Sequence, residues 1–600
     1  MKPEQQSNVL LGITRSKAKM YEYDVPLESH IRIPDDPSQL FSLAVGLLGD
    51  LAAAINAGKE AEEKLETLRG HLKFSAYFFD SYRQTRLTEE LDPYLLLLGS
   101  ASYYLCDLPG SAAVLADHIG TQNLDFDCIG IEVLLVWLLK GEFSALIENP
   151  GGLFGERIYL LAASVFHHFH EGGGESSIKS SGHALRTVVY EHGTPRQLLF
   201  ADVACALARK RHDNSSWHCL PQYSDLPTEA WLATLQKESF LKELWPAQRL
   251  LGVHGVFRGT SAVVQMPTSA GKTHATQLII RSAFLSGRTS LAVLVAPFRA
   301  LCHEIKDSLS RAFRSESVSI DEFSDVMQVD FELEATARNQ IIIATPEKLF
   351  YILKHNSDLA LNVGLLIYDE GHQFDSGVRG VTYELLLTSL AALVPTDTQK
   401  ILISAVISNG ASIGEWLNGP NSQVVAGQNL IPTYKSIAFT CWKDQEGRIL
   451  KLGQLAYFTE KNLIERDFFV PRVIGEHKLS RRPRERKEKL FPDREDSNSV
   501  ALYLGLKLFH KGGIAIFCGT KSTASALCDM AVDVYSRDLT LAPPATVSNP
   551  DEIRCLVNLH ARNLGNDDSA TQAASLGILS HHGNIPHGIR LAVEYAMKES

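Results

Sequence analysis

Several common features are missing from this 600-residue chain. Its nine cysteines (Cys106, Cys128, Cys205, Cys219, Cys302, Cys441, Cys518, Cys528 and Cys555) are scattered, and no two stand in a Cys-x-x-Cys spacing. That excludes the zinc-ribbon and iron–sulfur patterns. An odd, dispersed set reads as reduced thiols, so a soluble cytoplasmic protein is expected. No apolar run approaches the roughly 18 residues of a membrane span; the longest candidates, such as Val133–Leu139, are core-sized. No membrane partner is therefore expected. The first residues, MKPEQQSNVL, lack the basic-then-apolar layout of a signal peptide. Basic charge is short as well: 58 Lys+Arg face 69 Asp+Glu, a net charge of −11.

That deficit is uneven. Residues 1–230 hold 19 basic and 30 acidic side chains, and residues 231–600 hold 39 of each. The first two-fifths thus carry the whole excess and make a poor phosphate-backbone binder. The second part is neutral and retains room for local basic patches. With 45% hydrophobic and 21% charged residues the composition is that of a globular chain, and a length of about 150 residues per domain suggests about four domains.

Residues 1–36 are mixed and turn-rich. Residues 37–210 show helical patterning, with Ser38–Ile55, Glu60–Leu68 and Pro93–Cys106 as the clearest stretches. Leu105/Leu138, Ser111/Ser144 and Ala112/Ala145 share an offset of 33. That spacing leaves two readings open: tetratricopeptide-type repeats, or an irregular helical bundle. His167, His168, His170, His183 and His192 flank the Gly172–Gly174 turn. They read as helix-end, solvent-facing residues in preference to a metal site. Residues 211–239 are polar and proline-containing, and are expected to be a linker.

From about 240 the pattern changes. Ser261–Met266, Leu291–Ala296, Ile341–Ala344, Leu365–Tyr368 and Lys400–Ser404 are short apolar strands separated by helical stretches. The alternation predicts βαβ units and a parallel sheet buried on both faces. The first strand runs into Met266-Pro-Thr-Ser-Ala-Gly-Lys-Thr273, a phosphate-binding loop whose usual first glycine is replaced by Met266. Thr268, Ser269, Ala270 and Gly271 supply backbone N–H groups for a phosphate. Lys272 supplies a charge to the β- and γ-phosphates of a nucleotide, and the Thr273 hydroxyl a ligand for Mg²⁺. Ninety-seven residues after Lys272, the strand Leu365–Tyr368 ends in Asp369-Glu370-Gly371-His372. Asp369 is placed to hold Mg²⁺ through water, and Glu370 to polarise the attacking water.

These motifs resemble those of superfamily-two DExH-box helicases, specifically the Ski-like branch. DEGH at 369–372 is similar to the DExH box, and PTSAGKT at 267–273 to that branch's phosphate loop. Pro297–Leu301 resembles motif Ia, Thr345–Leu349 motif Ib, and Ser404-Ala405-Val406 motif III; Arg379-Gly380 also recurs there. The resemblance implies ATP and Mg²⁺ as cofactors, and it makes Gln248 an adenine-reading residue. Arg299, Thr345 and Pro346 would grip a nucleic-acid strand. Ser404 and Val406 would couple the two sites, and His372 would link them by a hydrogen bond. Val406 departs from the family's threonine, which weakens the coupling role.

A second motor unit is expected from 428, with strands in Ile431–Trp442, Arg448–Phe458 and Gly513–Cys518. Gly519–Ser522 resembles motif IV, with Thr520 and Lys521 as backbone contacts, and Leu576–Gly583 resembles a further family strand. The charged stretch 471–497 contains Arg481, Arg482, Arg484, Arg486, Lys487 and Lys489. It reads as a solvated insert, with nucleic-acid contact as the alternative. No Gln-x-x-Gly-Arg-x-Gly-Arg stretch occurs, so motifs V and VI are not found. Arginine fingers contribute about 10³–10⁵ in rate, so the 600 residues alone are expected to bind ATP and hydrolyse it poorly, being a fragment or completed by another chain.

The resulting expectation is an α/β protein with tandem RecA-like domains, the second incomplete, behind an all-α N-terminal domain. Its units are 1–36, 37–210 (acidic, helical), 211–239 (linker), 240–427 (first RecA-like domain) and 428–600 (second). The overall wording of the motor also resembles bacterial antiphage-defence helicases of the Hachiman type. The Ski-like resemblance implies a 3′-to-5′ helicase, and the Hachiman resemblance a protein partner, nuclease-like, on the acidic domain; the role implied is antiphage defence or DNA repair. DNA is taken ahead of RNA, although no base-reading or 2′-hydroxyl signature separates them. The alternative is a nucleotide-gated clamp that binds nucleic acid and releases a partner without processive unwinding.

Overall fold

The computed structural model describes residues 1–33, 38–86, 92–120, 126, 128–323, 338–372, 378–407, 409–420, 422–443, 452–458, 467–483, 485 and 488–599. The chain divides into two compact units. One comprises Met1–Glu4, Ser38–Asp80 and Thr88–Lys435; the other Gln5–Pro37, Ser81–Leu87 and Ser436–Ser600.

The first unit opens with helices and closes with a sheet. Its helices include Ser38–Ala57, Glu62–Gln84, Asp92–Leu105, Pro109–Asp117, Ile131–Lys140, Gly152–Glu171, Glu175–His192 and Pro195–Asn214. The last begins at a capping box: the Thr194 hydroxyl accepts from the Gln197 N–H, the Gln197 amide oxygen accepts from the Thr194 N–H, and Pro195 fills the first helical position. The repeat reading fails here. Ser111 and Ala112 lie in the helix Pro109–Asp117, whereas Ser144 and Ala145 lie in the turn after Lys140, so the offset of 33 joins unlike structures.

The sheet has seven strands: β1 (Ala262–Gln265), β2 (Leu291–Val295), β3 (Val318–Phe323), β4 (Asn339–Ala344), β5 (Leu365–Tyr368), β6 (Gln399–Ser404) and β7 (Gln423–Ala426). Their order is β3-β4-β2-β5-β6-β1-β7, and every pairing is parallel. Side chains alternate between two cores. Val264, Leu294, Ile343, Ile367 and Ile401 enter one with the helices Lys272–Leu285 and Arg299–Ala312. Val263, Val293, Ile342, Leu366 and Leu402 enter the other with Pro346–His355 and Val378–Leu393. Each such side chain removed from water contributes about 1.5–3 kcal/mol. β3 and β7 were not foreseen: they are the sheet's edges, and their mixed burial hides the apolar signal.

Residues 211–239 are not a linker. They continue Pro195–Asn214 and then form the helices Ser216–Ser224 and Thr228–Leu235. Trp217, Cys219, Leu220, Trp231 and Leu235 from this stretch lie in the same core as β1 and β2. The polar residues that suggested a linker are spent on internal bonds: the Ser215 hydroxyl caps one helix, and Trp231 Nε1 donates to Ser224 Oγ. The histidines also divide. His167, His170, His183 and His192 are exposed, but His168 is buried, its ring nitrogens bonded to the Gly173 carbonyl and Ser215 Oγ. Burial lowers its pKa to about 4. Among the described residues no cluster of metal-ligating side chains is found. One helix, Gln39–Ala57, is long and apolar enough by composition to cross a membrane. It escaped the search for unbroken runs because Ser, Gly and Asp interrupt it; Ala44, Leu47, Leu48, Leu51 and Ala52 on it are buried, and it packs on Pro195–Asn214.

The helices meet the sheet-bearing part at a cluster of charges. Asp107, in the left-handed corner after Asp92–Leu105, lies 2.9 Å from Lys210 Nζ, 2.9 Å from Arg249 Nη2 and 3.7 Å from Arg69 Nε. Beside it Glu243 pairs with Arg211 at 2.7 Å and accepts from the Tyr104 hydroxyl. Burial alone would push the Asp107 carboxyl up. The charges of Lys210, Arg249 and Arg69 outweigh it and hold the group well below the usual carboxylate range.

In the second unit the helix Gln5–Glu22 replaces the turn-rich segment expected over 1–36. Its Ser16 hydroxyl donates to the Phe469 carbonyl, and Arg15 pairs with Asp467. These contacts lie at β10 (Phe468–Ile474), which forms a three-stranded antiparallel sheet with β8 (Ile437–Lys443) and β9 (Leu452–Phe458). A second RecA-like parallel sheet is not found among the described residues. Gly513–Cys518 and Leu576–Ser580 carry no strand, and Phe517 is 95% exposed. An apolar run marks a segment able to join a ladder; the ladder also needs neighbours, and none is described beside these two. Part of the 471–497 insert is built into the fold. β11 (His477–Leu479) and β12 (Lys489–Phe491) form a hairpin. Arg482 and Lys489 pair with Asp533, and Glu485 takes both arms of Arg537 at 2.7 Å. Arg484, Arg486 and Lys487 lie outside the described residues.

Asp107→Ala leaves three cations without their shared anion and is expected to cost about 3–5 kcal/mol at neutral pH. Because the folded pKa is depressed, this stability is fully present above the ordinary carboxylate pKa of about 3.9 and is lost as pH falls from there toward the folded value. Urea unfolding of both forms at pH 7 and pH 3 should show the gap narrowing in acid; a gap independent of pH would contradict the assignment.

Candidate functional site

Because all seven strands run the same way, the loops at their C-terminal ends share one edge, where open α/β sheets bind ligands. Three backbone bonds tie these loops together. The Met266 N–H donates to the Ser404 carbonyl at 2.9 Å, Asp369 N–H to Val295 at 2.9 Å, and Ala296 N–H to Ala344 at 3.1 Å. The sequence-predicted residues following β1, β2, β4, β5 and β6 are therefore brought to one edge.

The loop after β1 turns through Thr268–Ala270 into Gly271, whose φ of +82° is the left-handed region that favours glycine. Gly271 caps the helix Lys272–Leu285 with no side-chain cap bond, which leaves the first N–H groups of a 14-residue helix for an anion. Ser269 is exposed, Ala270 is buried, and the Thr268 side chain lies outside the described residues. A Cβ on Gly271 would stand 2.6 Å from Gln248 Nε2. Gln248 itself is only 1% exposed. Its amide oxygen accepts from the Trp245 N–H at 2.9 Å, and its Nε2 donates to the Gly271 carbonyl at 3.4 Å. Both ends of the amide are thus engaged with backbone, one of them with the phosphate loop. That contact was not legible in the spacing that singled Gln248 out.

Lys272 Nζ lies 3.2 Å from Glu370 Oε1. Glu370 Oε2 is 3.1 Å from His372 Nδ1, which lies 3.4 Å from Ser404 Oγ. The Val406 N–H donates to Ser404 Oγ at 3.3 Å, while the Val406 side chain is 75% exposed. Lys272, Glu370, His372, Ser404 and Val406 thus form one continuous polar chain across the ends of β1, β5 and β6. Glu370 has a φ of +52°, a conformation costing a non-glycine residue about 1–2 kcal/mol. Gly371 follows because a Cβ there would meet Leu402 Cδ2 at 2.3 Å. The Asp369 carboxylate accepts from the Glu370 N–H at 2.9 Å. Burial, then the adjacent Glu370 charge, push the Asp369 carboxyl above its ordinary pKa. A partly desolvated acid of this kind gains most from a nearby cation. Thr273, exposed in the first turn of its helix, is the other oxygen donor singled out for Mg²⁺. The left-handed Gly271, the uncapped helix start, Lys272 and Asp369 suit a nucleotide polyphosphate with Mg²⁺.

Arg299 is exposed at the start of Arg299–Ala312; Pro346 occupies the first position of Pro346–His355, with half-buried Thr345 before it. The Arg379 side chain lies outside the described residues. In the second unit Thr520 caps the helix Lys521–Tyr535 by accepting from the Thr523 N–H, and Lys521 Nζ donates to Asn584 Oδ1 at 2.9 Å. The start of Lys521–Tyr535 and the 581–584 segment are therefore neighbours there, and His581 pairs with Glu594 at 2.7 Å.

The family model described as DEAD/DEAH box helicase matches residues 246–412, the stretch that carries β1–β6 and the loops at the C-terminal ends of β1, β2, β4, β5 and β6. This segment therefore matches a DEAD/DEAH box helicase domain. The chain is 22% identical over 476 residues to the Hachiman protein HamB of Bacillus cereus, covering 76% of this chain and 41% of that protein. It is 30% identical over 234 residues to the ATP-dependent DNA helicase Hel308 of Thermococcus kodakarensis, 38% of this chain and 19% of that one. A Hel308 of Thermoplasma volcanium is 31% identical over 193 residues, covering 32% of this chain and 27% of that one. The chain therefore spans less than half the length of these relatives. The helicase domain implies the use of ATP.

Gly271→Ala places a side chain in a left-handed position and against Gln248. It is expected to weaken binding of a fluorescent ADP analogue by about tenfold or more, with only about 1–2 kcal/mol lost in unfolding stability. Unaltered affinity would show that the loop does not depend on this glycine.

Proposed function

We propose that the chain is the ATP-driven motor portion of a nucleic-acid helicase or translocase acting in antiphage defence. The observation that carries this reading is the convergence of Lys272, Asp369 and Glu370 beside an uncapped helix start, within a helicase domain. The name of the HamB relative supplies the defence setting, and the Hel308 names favour DNA. Movement in the 3′-to-5′ direction, a cytoplasmic location and a nuclease-like protein partner on the acidic helical domain belong to the same proposal.

In this reading the loop and helix-start N–H groups of 268–273 receive the β-phosphate, except that of Ala270, which donates to the Pro267 carbonyl, and Lys272 leaves Glu370 for the β- and γ-phosphate oxygens. Thr273 and, through water, Asp369 would hold Mg²⁺, which when bound would neutralise phosphate charge. Glu370, freed from Lys272, orients and polarises the water that attacks opposite the leaving group. His372 then passes the state of Glu370 to Ser404, and Ser404 to the Val406 backbone, so coupling runs through main chain and does not need the hydroxyl that Val406 lacks. Arg299, Thr345 and Pro346 grip the backbone of a nucleic-acid strand, and Thr520 and Lys521 of the second unit are backbone contacts in the same reading. Contacts to backbone position the strand and carry no sequence preference.

Lys272→Ala is expected to reduce ATP turnover of the full-length protein to background; retained turnover would refute the site. Strand displacement by the full-length protein on 3′- and 5′-tailed DNA and RNA duplexes tests the rest. Continuous ATP-fuelled displacement of the 3′-tailed DNA duplex is expected. Nucleotide-dependent binding and release without displacement would establish the clamp reading instead.

A further inference from the structure

The nucleotide site and the acidic helices share one short helix, Pro246–Val253. Gln248 on it holds the Gly271 carbonyl of the phosphate loop. The next residue, Arg249, points the other way. Its Nη2 donates to Asp107 at 2.9 Å and its Nη1 to Asn214 Oδ1. The helix is also held at its far end. There a Cβ on Gly252 would stand 2.3 Å from the Tyr223 ring, so Gly252 is packed directly on the helix Ser216–Ser224. Asp107 in turn is fixed by Lys210, which also donates to the Leu105 carbonyl at 2.9 Å. Two turns of helix thus form a rigid link, with one end set by the helical domain and the other touching the loop that receives phosphate.

We infer that Arg249 is a positioning residue of the nucleotide site: its bonds to Asp107 and Asn214 fix Pro246–Val253, and through Gln248 they set the phosphate loop, so the acidic helical domain controls nucleotide affinity. The inference rests on the proposed reading of residues 267–273 as a nucleotide site. It extends that reading by assigning the helical domain a part in nucleotide binding, and it accounts for the burial of a Gln amide whose partners are all backbone. Anything that shifts the corner at Asp107, a bound partner included, would then be felt at Gly271.

The test is equilibrium binding of fluorescent ADP by the 600-residue chain, with thermal unfolding recorded in parallel. Arg249→Gln cuts the link while leaving Asp107 with Lys210 and Arg69, so folding is retained more readily than in Asp107→Asn, which serves as the second variant. Each is expected to raise the ADP Kd by about tenfold. In a Gln248→Ala background the same substitution should change the Kd by less than about twofold while lowering the melting temperature as before. A role in folding alone would leave the Kd of folded protein unaltered. An equal fold-change in both backgrounds would show that Arg249 does not act through Gln248. Either result overturns the inference. Absence of ADP binding by the unsubstituted chain would instead refute the nucleotide-site reading itself.

Discussion

Parallel pairing is the constraint on which the rest of the first unit depends. A parallel strand needs a crossover to its neighbour, and helices on both faces of the sheet provide it. Helices on both faces bury β1, β2, β4, β5 and β6 almost completely and leave polar chemistry only the strand ends. With every strand running the same way, five loops converge on one edge. Lys272, Glu370, His372, Ser404 and Val406 meet there although they span 134 positions of sequence. The edge strands β3 and β7 carry none of this chemistry and are correspondingly less buried.

A second constraint comes from charge in a partly dry setting. The N-terminal residues carry the whole acidic excess, yet the acid that matters most to the architecture, Asp107, is surrounded by three cations. Local pairing, and not overall balance, decides what that carboxylate does. The −11 total describes the solvent-facing helices; it says little about the interior corner where the helices join the sheet-bearing part. The same holds for the basic stretch in the second unit, where Asp533 engages Arg482 and Lys489.

Much of the motor was legible in the sequence because its chemistry needs fixed residue types at strand ends. A Gly-Lys-Thr after an apolar strand and paired acids after another were enough to foresee β1, β5 and the loops beyond them. The helices over 38–106 were legible from periodicity. What escaped depends on tertiary partners. Residues 211–239 looked like a linker because hydroxyls and prolines look the same whether they face water or cap buried helices. Gly513–Cys518 looked like a buried strand because hydrophobicity reports suitability for a ladder and not the presence of neighbours. The contact of Gln248 with Gly271 left no signal beyond the two residue types, and Arg249 gave none, since an arginine on a short helix ordinarily faces solvent.

The thiols show how burial sorts residues that the sequence presents as equivalent. Cys106, Cys205, Cys219 and Cys302 are buried and pushed up to about 12, and Cys528 to about 11, so almost none of their thiolate exists near neutrality. Cys128 is buried too, and Cys441 and Cys518 are half-covered; Cys555, on the helix Pro550–Leu564, is the one exposed cysteine of the nine. The native chain therefore carries its own attachment point for a spectroscopic label. A maleimide dye would settle first on the second unit, far in sequence from the phosphate loop, and motor movements could be followed without removing any natural cysteine.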